Sequence, residues 1–382
     1  MPPVSKRKVT RIDVAGGKPA LQLVELNGML FSGSIHGTDP KTGALSDDPE
    51  RQFELAFQNL QTLLGQAGAS SSELGLVTVN IPGASHREHI NKPWLAMFPD
   101  EGKRPARKTN QYPLPEGMQV QLQVMGVKGQ QPKALRIGDW SHQDPLPPGV
   151  KLGDVVFSSV ITGQDPANNK QSEDPETQIR QALSNLETLV KDAGGTWDDV
   201  LHVMVFLKDR KADQPRLDKI WQEIFVPHGQ CPARKAVDYK ELRGTSIVQM
   251  QTIAHLNHRP RQDFVMPNVP VHDTGTMGAR IGNLVWSAGL SGNPGGHLGS
   301  LDEQLEWAFK HTRTFMELAG GTPDDVAYAT IMVRDYQHQQ RIMQEWRKMF
   351  PDPNDEPAYH VAAFGLNPVN AEIAQLHIAA AL

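Results

Sequence analysis

The sequence predicts an α+β protein built from three tandem copies of one unit, with helices outside and sheets turned toward a common centre. Three observations carry this. The helix starts "DDPERQ", "EDPETQ" and "GSLDEQ" place Gln52, Gln178 and Gln304 at equal intervals of 126 residues. A second helix in each copy carries Trp94, Trp221 or Trp346, each four residues before Phe98, Phe225 or Phe350. One closing sentence is written three times, beginning "RPARKTNQY", "CPARKAVDY" and "EPAYHVAAF", and the last copy has tyrosine where the others have arginine.

Each element follows from local chemistry. The runs "GMLFSGSIHG", "DVVFSSVITG" and "NLVWSAGLSG" read as opening strands. Asp or Ser then caps the first free N–H groups of a helix, proline follows in the first two copies, and acidic residues meet the helix dipole. Apolar residues recur with helical period until Gly68, Gly194 and Gly320, where a helix stop is expected. The β-rich runs "LGLVTVNIP", "VLHVMVFLKD" and "VAYATIMVRD" come next, and then the second helix, whose Trp and Phe share one face and belong in the core. Two strands close the copy. The unit therefore reads strand, strand, helix, strand, helix, strand, strand. Both helices lie on one face of the sheet, so the other face needs cover, and tandem copies supply it by packing sheet to sheet about an approximate threefold axis. Proline and polar residues gather at the breaks, which places the units at 12–130, 146–258 and 268–382.

Composition narrows the function classes. A chain of 382 residues exceeds what one core usually fills. The net charge of −5 leaves no basic footprint for a nucleic-acid partner, and Met1 to Arg11, though locally basic, reads as a frayed tail. No apolar run reaches the roughly 20 residues of a membrane span, and the start lacks the apolar core of a signal peptide, so a cytoplasmic protein is expected. The single cysteine, Cys231, excludes an internal disulfide and reads as a structural thiol. Among 14 histidines the one close pair, His86 and His89, lacks a third ligand at metal-binding spacing, so no metal is expected. Gly292 to Gly299 is glycine-rich, yet it falls where the sister copies have hairpin connections, and no nucleotide cofactor motif is present.

The segments "DDPERQFELAFQNLQTLLGQAG", "VFLKD" and "PARKAV", with "VQMQTIA" after it, resemble the RidA/YjgF family, also called L-PSP. The resemblance is strongest over residues 151–256, good over 20–127 and weaker over 269–382. Members are small homotrimers with clefts at the subunit interfaces. The resemblance implies a chorismate-mutase-like α+β barrel, here a pseudotrimer within one chain. It also implies an arginine that holds a substrate carboxylate, at Arg107 and Arg234. A planar guanidinium suits that task because it matches a carboxylate with two parallel hydrogen bonds. In the family a glutamate on the last strand positions water to hydrolyse an imine or enamine. That column falls on Gln121, Gln249 and Gln375, or in the third copy on Glu372. An amide can orient water but cannot act as its base. The backbone-binding stretch implied by the family falls on Ser32–Gly33, Ser158–Ser159 and Ser287–Ala288.

Duplication lets one cleft specialise while others become structural. Grouped by copy, the first cleft offers His36, Asn91, Arg107, Thr109 and Gln121. The second offers Thr162, Asp218, Arg234, Asp238 and Gln249, with Asp238 on the same strand face as Arg234 and a replacement base. The third offers Tyr359, His360, Glu372, Gln375 and His377, where the anion clamp is gone and imidazoles stand near a phenol. His36 and His377 are the acid–base candidates because histidine titrates nearest neutrality. The substrate-binding set is Gly33, Asn91, Arg107, Thr109, Gln121, Arg234, Gln249, Tyr359 and Gln375. Two classes of function stay open. One is a cofactor-free hydrolase of a C–N bond in a small, planar, often carboxylated metabolite. The other is a non-catalytic ligand-binding or chaperone-like relative, and a chorismatase-like hydrolase is a narrower third reading. The assembly expected is a monomeric pseudotrimer or a low-order homo-oligomer, with no nucleic-acid or membrane partner.

Overall fold

Each copy folds as a meander of strands, a long helix, a strand, a second helix and two closing strands. A computed structural model of the chain describes residues 6–225, 227, 231–266, 269, 276–293, 295, 298–364, 366 and 372–382. The first unit comprises β1 (Lys8–Val14), β2 (Lys18–Leu26), β3 (Met29–Ser32), β4 (Ile35–His36), α1 (Pro49–Gln66), β5 (Leu74–Ile81), α2 (Asn91–Met97), β6 (Ala106–Gln111) and β7 (Gln121–Val127). The second comprises β8 (Pro132–Leu135), β9 (Gly149–Leu152), β10 (Val155–Ser158), β11 (Ile161–Thr162), α3 (Pro175–Asp192), β12 (Val200–Leu207), α4 (Arg210–Phe225), β13 (Ala233–Asp238) and β14 (Val248–His255). The third comprises β15 (Gln262–Phe264), β16 (Gly278–Ile281), β17 (Leu284–Ser287), β18 (Leu290–Ser291), α5 (Leu301–Leu318), β19 (Val326–Val333), α6 (Gln339–Met349), β20 (Ala358–Ala362) and β21 (Ala374–Ala381).

Each unit is a seven-stranded sheet of the same order, β1-β2-β3-β7-β5-β6 in the first, with the short β4 also on β7. Only β5 and β6, and their counterparts, run parallel, because α2, α4 or α6 makes the crossover that a parallel pair requires. The long helices start and stop where expected: Asp48 and Asp174 accept from backbone N–H groups at 3.0 and 2.8 Å, Ser300 and Glu303 cap each other, and Gly68, Gly194 and Gly320 take left-handed φ. The equally spaced glutamines hold one loop apiece. Gln52 donates to Ser46 and Gly117 carbonyls at 2.7 and 2.8 Å and accepts from Gln119 N at 2.9 Å, fixing the turn into β7.

The Trp–Phe pairs are core, with ring centroids 4.6, 4.4 and 4.6 Å apart. Each helix layer covers its own apolar cluster, and a fourth cluster is common to all three sheets, where Phe31 stacks on Tyr328 at 5.7 Å and lies 6.1 Å from Trp286. The units touch pairwise, β10 on β5, β12 on β16 and β19 on β2, so each sheet borders both others.

Two expectations change. Each sheet begins with a strand earlier than the expected unit starts, at Lys8, Pro132 and Gln262, and β8 lies within the proline-rich stretch read as a break. Residues 6–11 are not a frayed tail: Arg7 is buried and donates to the carbonyls of Val326, Pro323 and Asp355 at 2.6, 2.6 and 2.5 Å, fastening the first unit to the third. Arg261 repeats the device, donating to Trp197 O at 2.6 Å and so tying the third unit to the second. The Gly292–Gly299 connection lies partly outside the described residues. Among the described residues no helix is long and apolar enough to cross a membrane.

Candidate functional site

The clefts do not group residues by copy. Each seam joins the Pro-Ala-Arg strand of one unit to the glutamine strand of the next, because β6 and its counterparts end their sheets while Gln121, Gln249 and Gln375 lie beside β4, β11 and β18. Arg107 therefore meets Gln249, Arg234 lies on the seam with Gln375, and Tyr359 meets Gln121. The register also settles the third copy: Gln375 pairs with Ser291 as Gln249 does with Thr162 and Gln121 with His36, and Glu372 precedes the strand.

The cleft between the first and second units unites Arg107, Asn91, Thr109 and Gln249. It is small, about 50 Å³. Arg107 is 2 % exposed, its guanidinium 4.8 Å from the Trp94 ring centre, with Nη1 donating to Asn91 Oδ1 at 3.0 Å. Its charge is answered from within. The 136–148 connection between β8 and β9 passes over the cleft and sets Asp144 Oδ2 3.5 Å from Arg107 Nη2, while Asn91 donates to Asp144 Oδ1 at 3.3 Å. The same loop gives the Pro145 carbonyl to Trp94 Nε1 at 3.0 Å. Burial brings Arg107 down to about 10, and Asp144 is held below the ordinary carboxylate range by Arg107 and by the Asn91 hydrogen bond, against its partial burial. A chain carboxylate thus stands where an anionic ligand would be expected.

At the seam between the second and third units, the Arg234 side chain is enclosed, 4.8 Å from the Trp221 ring centre, and pairs with Asp218 at 2.5 Å. Gln375 bonds Lys235 and donates to Glu372 Oε1 at 3.3 Å. Arg234 with Asp218, and Gln375 with Lys235 and Glu372, are thus two polar groupings at this seam.

The seam between the third and first units is different in kind. It holds a cavity of about 710 Å³ lined by Gly33, His36, Gln121 and Tyr359, four of the expected site residues. Here β1 and β2 join through the tight turn at Gly16 and Gly17, both at positive φ, in place of the 136–148 connection of the first seam. Tyr359 takes the arginine's place on the tryptophan, its ring 5.2 Å from Trp346. Gly33 allows close approach, since a Cβ there would come 3.0 Å from the Tyr359 carbonyl; its N–H is already given to Gln22 O at 3.0 Å. Gln121 Oε1 is buried with no hydrogen-bond partner. His36 is buried, which brings its imidazole down to about 4, so it is neutral near pH 7.

This cleft contains a carboxyl that the sequence reading missed. Glu356 Oε1 accepts from Arg11 at 2.6 Å and Oε2 from Trp346 Nε1 at 3.3 Å, yet burial still raises its pKa above the ordinary value. The signal was in the motif: the residue before Pro-Ala is Arg104 in the first copy, Cys231 in the second and Glu356 in the third. Arg347 of α6 and Lys18 of β2 also line the cavity.

Three of the residues grouped with the clefts are engaged elsewhere. Asp238 accepts from Arg210 N at 3.0 Å at the start of α4, where it serves the helix terminus rather than a cleft. His377 lines a cavity walled by all three sheets, its ring 6.4 Å from His202, and burial pushes it well below the ordinary histidine range. His360 has both ring nitrogens engaged, by Ser34 and Tyr112 hydroxyls at 2.7 Å each, and burial lowers it to about 3. The His86 and His89 rings lie 6.5 Å apart, with His86 Nε2 bonded to Gln119 Oε1 at 2.5 Å.

A family model described as Endoribonuclease L-PSP matches residues 19–127 and 142–256, the first two units. Solved structures resemble single units. The YjgF gene product of E. coli is 26 % identical over 32 % of this chain and 95 % of its own, with a TM-score of 0.30. E. coli TdcF with bound serine is 25 % identical over 32 % and 98 %, with a TM-score of 0.31. RidA from an Antarctic Psychrobacter species is 26 % identical over 32 % and 98 %, with a TM-score of 0.29.

Proposed function

The chain belongs to the endoribonuclease L-PSP family, and on that premise we propose that it hydrolyses a C–N bond of a small, planar, nitrogenous metabolite in the cleft between its third and first units. The observation that supports this most is the joint presence there of room, about 710 Å³, and of a partly buried carboxyl with a raised pKa, Glu356. A carboxyl so tuned exchanges protons closer to neutrality than an ordinary glutamate, which is what a general base for water requires. In this reading Gln121 Oε1 orients the attacking water and Glu356 takes its proton. As the oxygen bonds to the imine carbon, Glu356 passes that proton to the nitrogen; the hydroxyl of the resulting carbinolamine then gives up its own proton to the nitrogen through Glu356, the carbon–oxygen double bond forms, the C–N bond breaks and ammonia leaves. Met118, Met343 and Phe350 pack the planar body, and Arg347 offers a carboxylate anchor to replace the arginine lost at Tyr359.

Glutamine in all three family glutamate positions favours a second reading, a ligand-binding protein without turnover. Thermal-shift screening against imino acids, amides, ureas and nitrogen heterocycles, followed by ammonia release on each hit, separates the two. Ammonia release that Glu356→Gln abolishes supports the hydrolase; binding without release supports the second reading; no hit in any class sinks both.

A further inference from the structure

The mechanism leaves unused a second cavity, about 110 Å³, on the central axis, walled by all three sheets. By the rule that one water needs about 10–15 Å³ of such space, it has room for several waters or one compact ion. Its chemistry is one-sided. Lys108 is fully buried, its Nζ 3.7 Å from the Phe206 ring centre and 3.4 Å from Gln249 Oε1. His202 Nε2, His377 Nε2 and Gln123 Nε2 are buried without a hydrogen-bond partner in the protein. No carboxylate is found among the described residues that line it. Burial lowers Lys108 well below the ordinary lysine range and His202 to about 3, and the positive charges of Arg87 and Lys235 push the two the same way. Charging Lys108 in this cavity without a counter-charge is costly, and the unpartnered ring and amide nitrogens of His202, His377 and Gln123 add to that cost. One anion would satisfy them together.

We propose that the axial cavity binds one compact oxyanion, held by Lys108, the ring nitrogens of His202 and His377, and the amide of Gln123. The site does not rest on the chemistry proposed for the third-to-first cleft, and Lys108 links it to the first seam through Gln249. The threefold arrangement explains how the chain assembles it, since Lys108 comes from β6, His202 from β12 and His377 from β21.

Inorganic phosphate is the probe. At constant ionic strength, phosphate in place of chloride raises the melting temperature of the full chain with a saturable dose response, and Lys108→Met weakens the apparent affinity at least tenfold. Methionine fills the lysine's volume without a buried charge, a change that is often neutral or stabilising, so this variant is expected to fold. If it does not, Gln123→Glu puts a carboxylate into the wall of the same cavity and abolishes the phosphate response. Equal responses in variant and wild type, or none in the wild type, overturn the proposal. Wild-type crystals grown with selenate give a second readout: an anomalous peak within hydrogen-bond distance of Lys108 Nζ supports the site, and water there overturns it.

Discussion

The first-to-second and third-to-first seams start from the same parts and end differently. Both set a Pro-Ala-x strand against a glutamine strand, with a tryptophan beneath. In the first, a 13-residue connection (136–148) covers the cleft and brings Asp144 to Arg107. In the second, the equivalent turn is Ala15–Gly17, the arginine is Tyr359, and Glu356 supplies the carboxyl. The first is an internal ion pair that consumes its own anion site; the second is an open cleft with an acid in its wall. A chain that carries three copies can lengthen one loop and exchange two residues of one motif without altering the others, which a homotrimer cannot do.

Acid should break the two seams in a fixed order. His36, His202 and His360 have pKa values lowered by burial to about 4, 3 and 3, so the unfolded chain binds more protons as the pH falls below about 6.5. Their stability contribution is present above that pH and is lost progressively toward pH 3 to 4. Between pH 6.5 and 5 each costs on the order of 1–2 kcal/mol, a loss measurable by urea unfolding across that range. Asp144, its pKa lowered by Arg107, keeps its contribution until the carboxylate range. Hydrogen exchange is therefore expected to rise in β4 and β20, around His36 and His360, before β6 and β10.

Arg7→Ala tests the same seam from outside. It removes a buried guanidinium and strands three carbonyls, and should cost about 3 kcal/mol in chemical denaturation. A change below about 1 kcal/mol would mean that the docking of β1 contributes little. Glu356→Gln should lower kcat/KM for ammonia release about 100-fold, roughly 2.7 kcal/mol, while Arg107→Ala stays within about threefold. The smallest effect belongs to Asp144→Asn, which should change stability by less than about 1 kcal/mol because the carboxylate is partly solvent-exposed. It should nevertheless give the first cleft a calorimetrically detectable affinity for acetate that the wild type lacks.

What the sequence could disclose follows from what is local. Helix caps, stop glycines, Trp–Phe pairs and the glutamine register are set within a few residues, and Gln52, Gln178 and Gln304 fix the repeat. The extra first strands escaped because β8 is four residues long inside a proline-rich stretch, paired only with β9 in sheet order. The grouping of cleft residues escaped for a deeper reason: chain order does not say which neighbour each edge strand faces, so Arg107 was set beside Gln121 rather than Gln249. Asp238 was placed correctly on its strand but assigned to a cleft when a helix terminus needed it. Glu356 was legible as a charge reversal within the motif, and its meaning depends on Arg11 and Trp346, 345 and 10 residues away in sequence.

The inequivalence of the clefts is tested most directly by hydrogen–deuterium exchange of the wild-type chain with and without the tightest-binding compound from the screen. Protection of β4, α6 and β20, with β6 and β10 unchanged, is the result predicted. Protection of β6 and β10 with none around Glu356 and Tyr359 would contradict it.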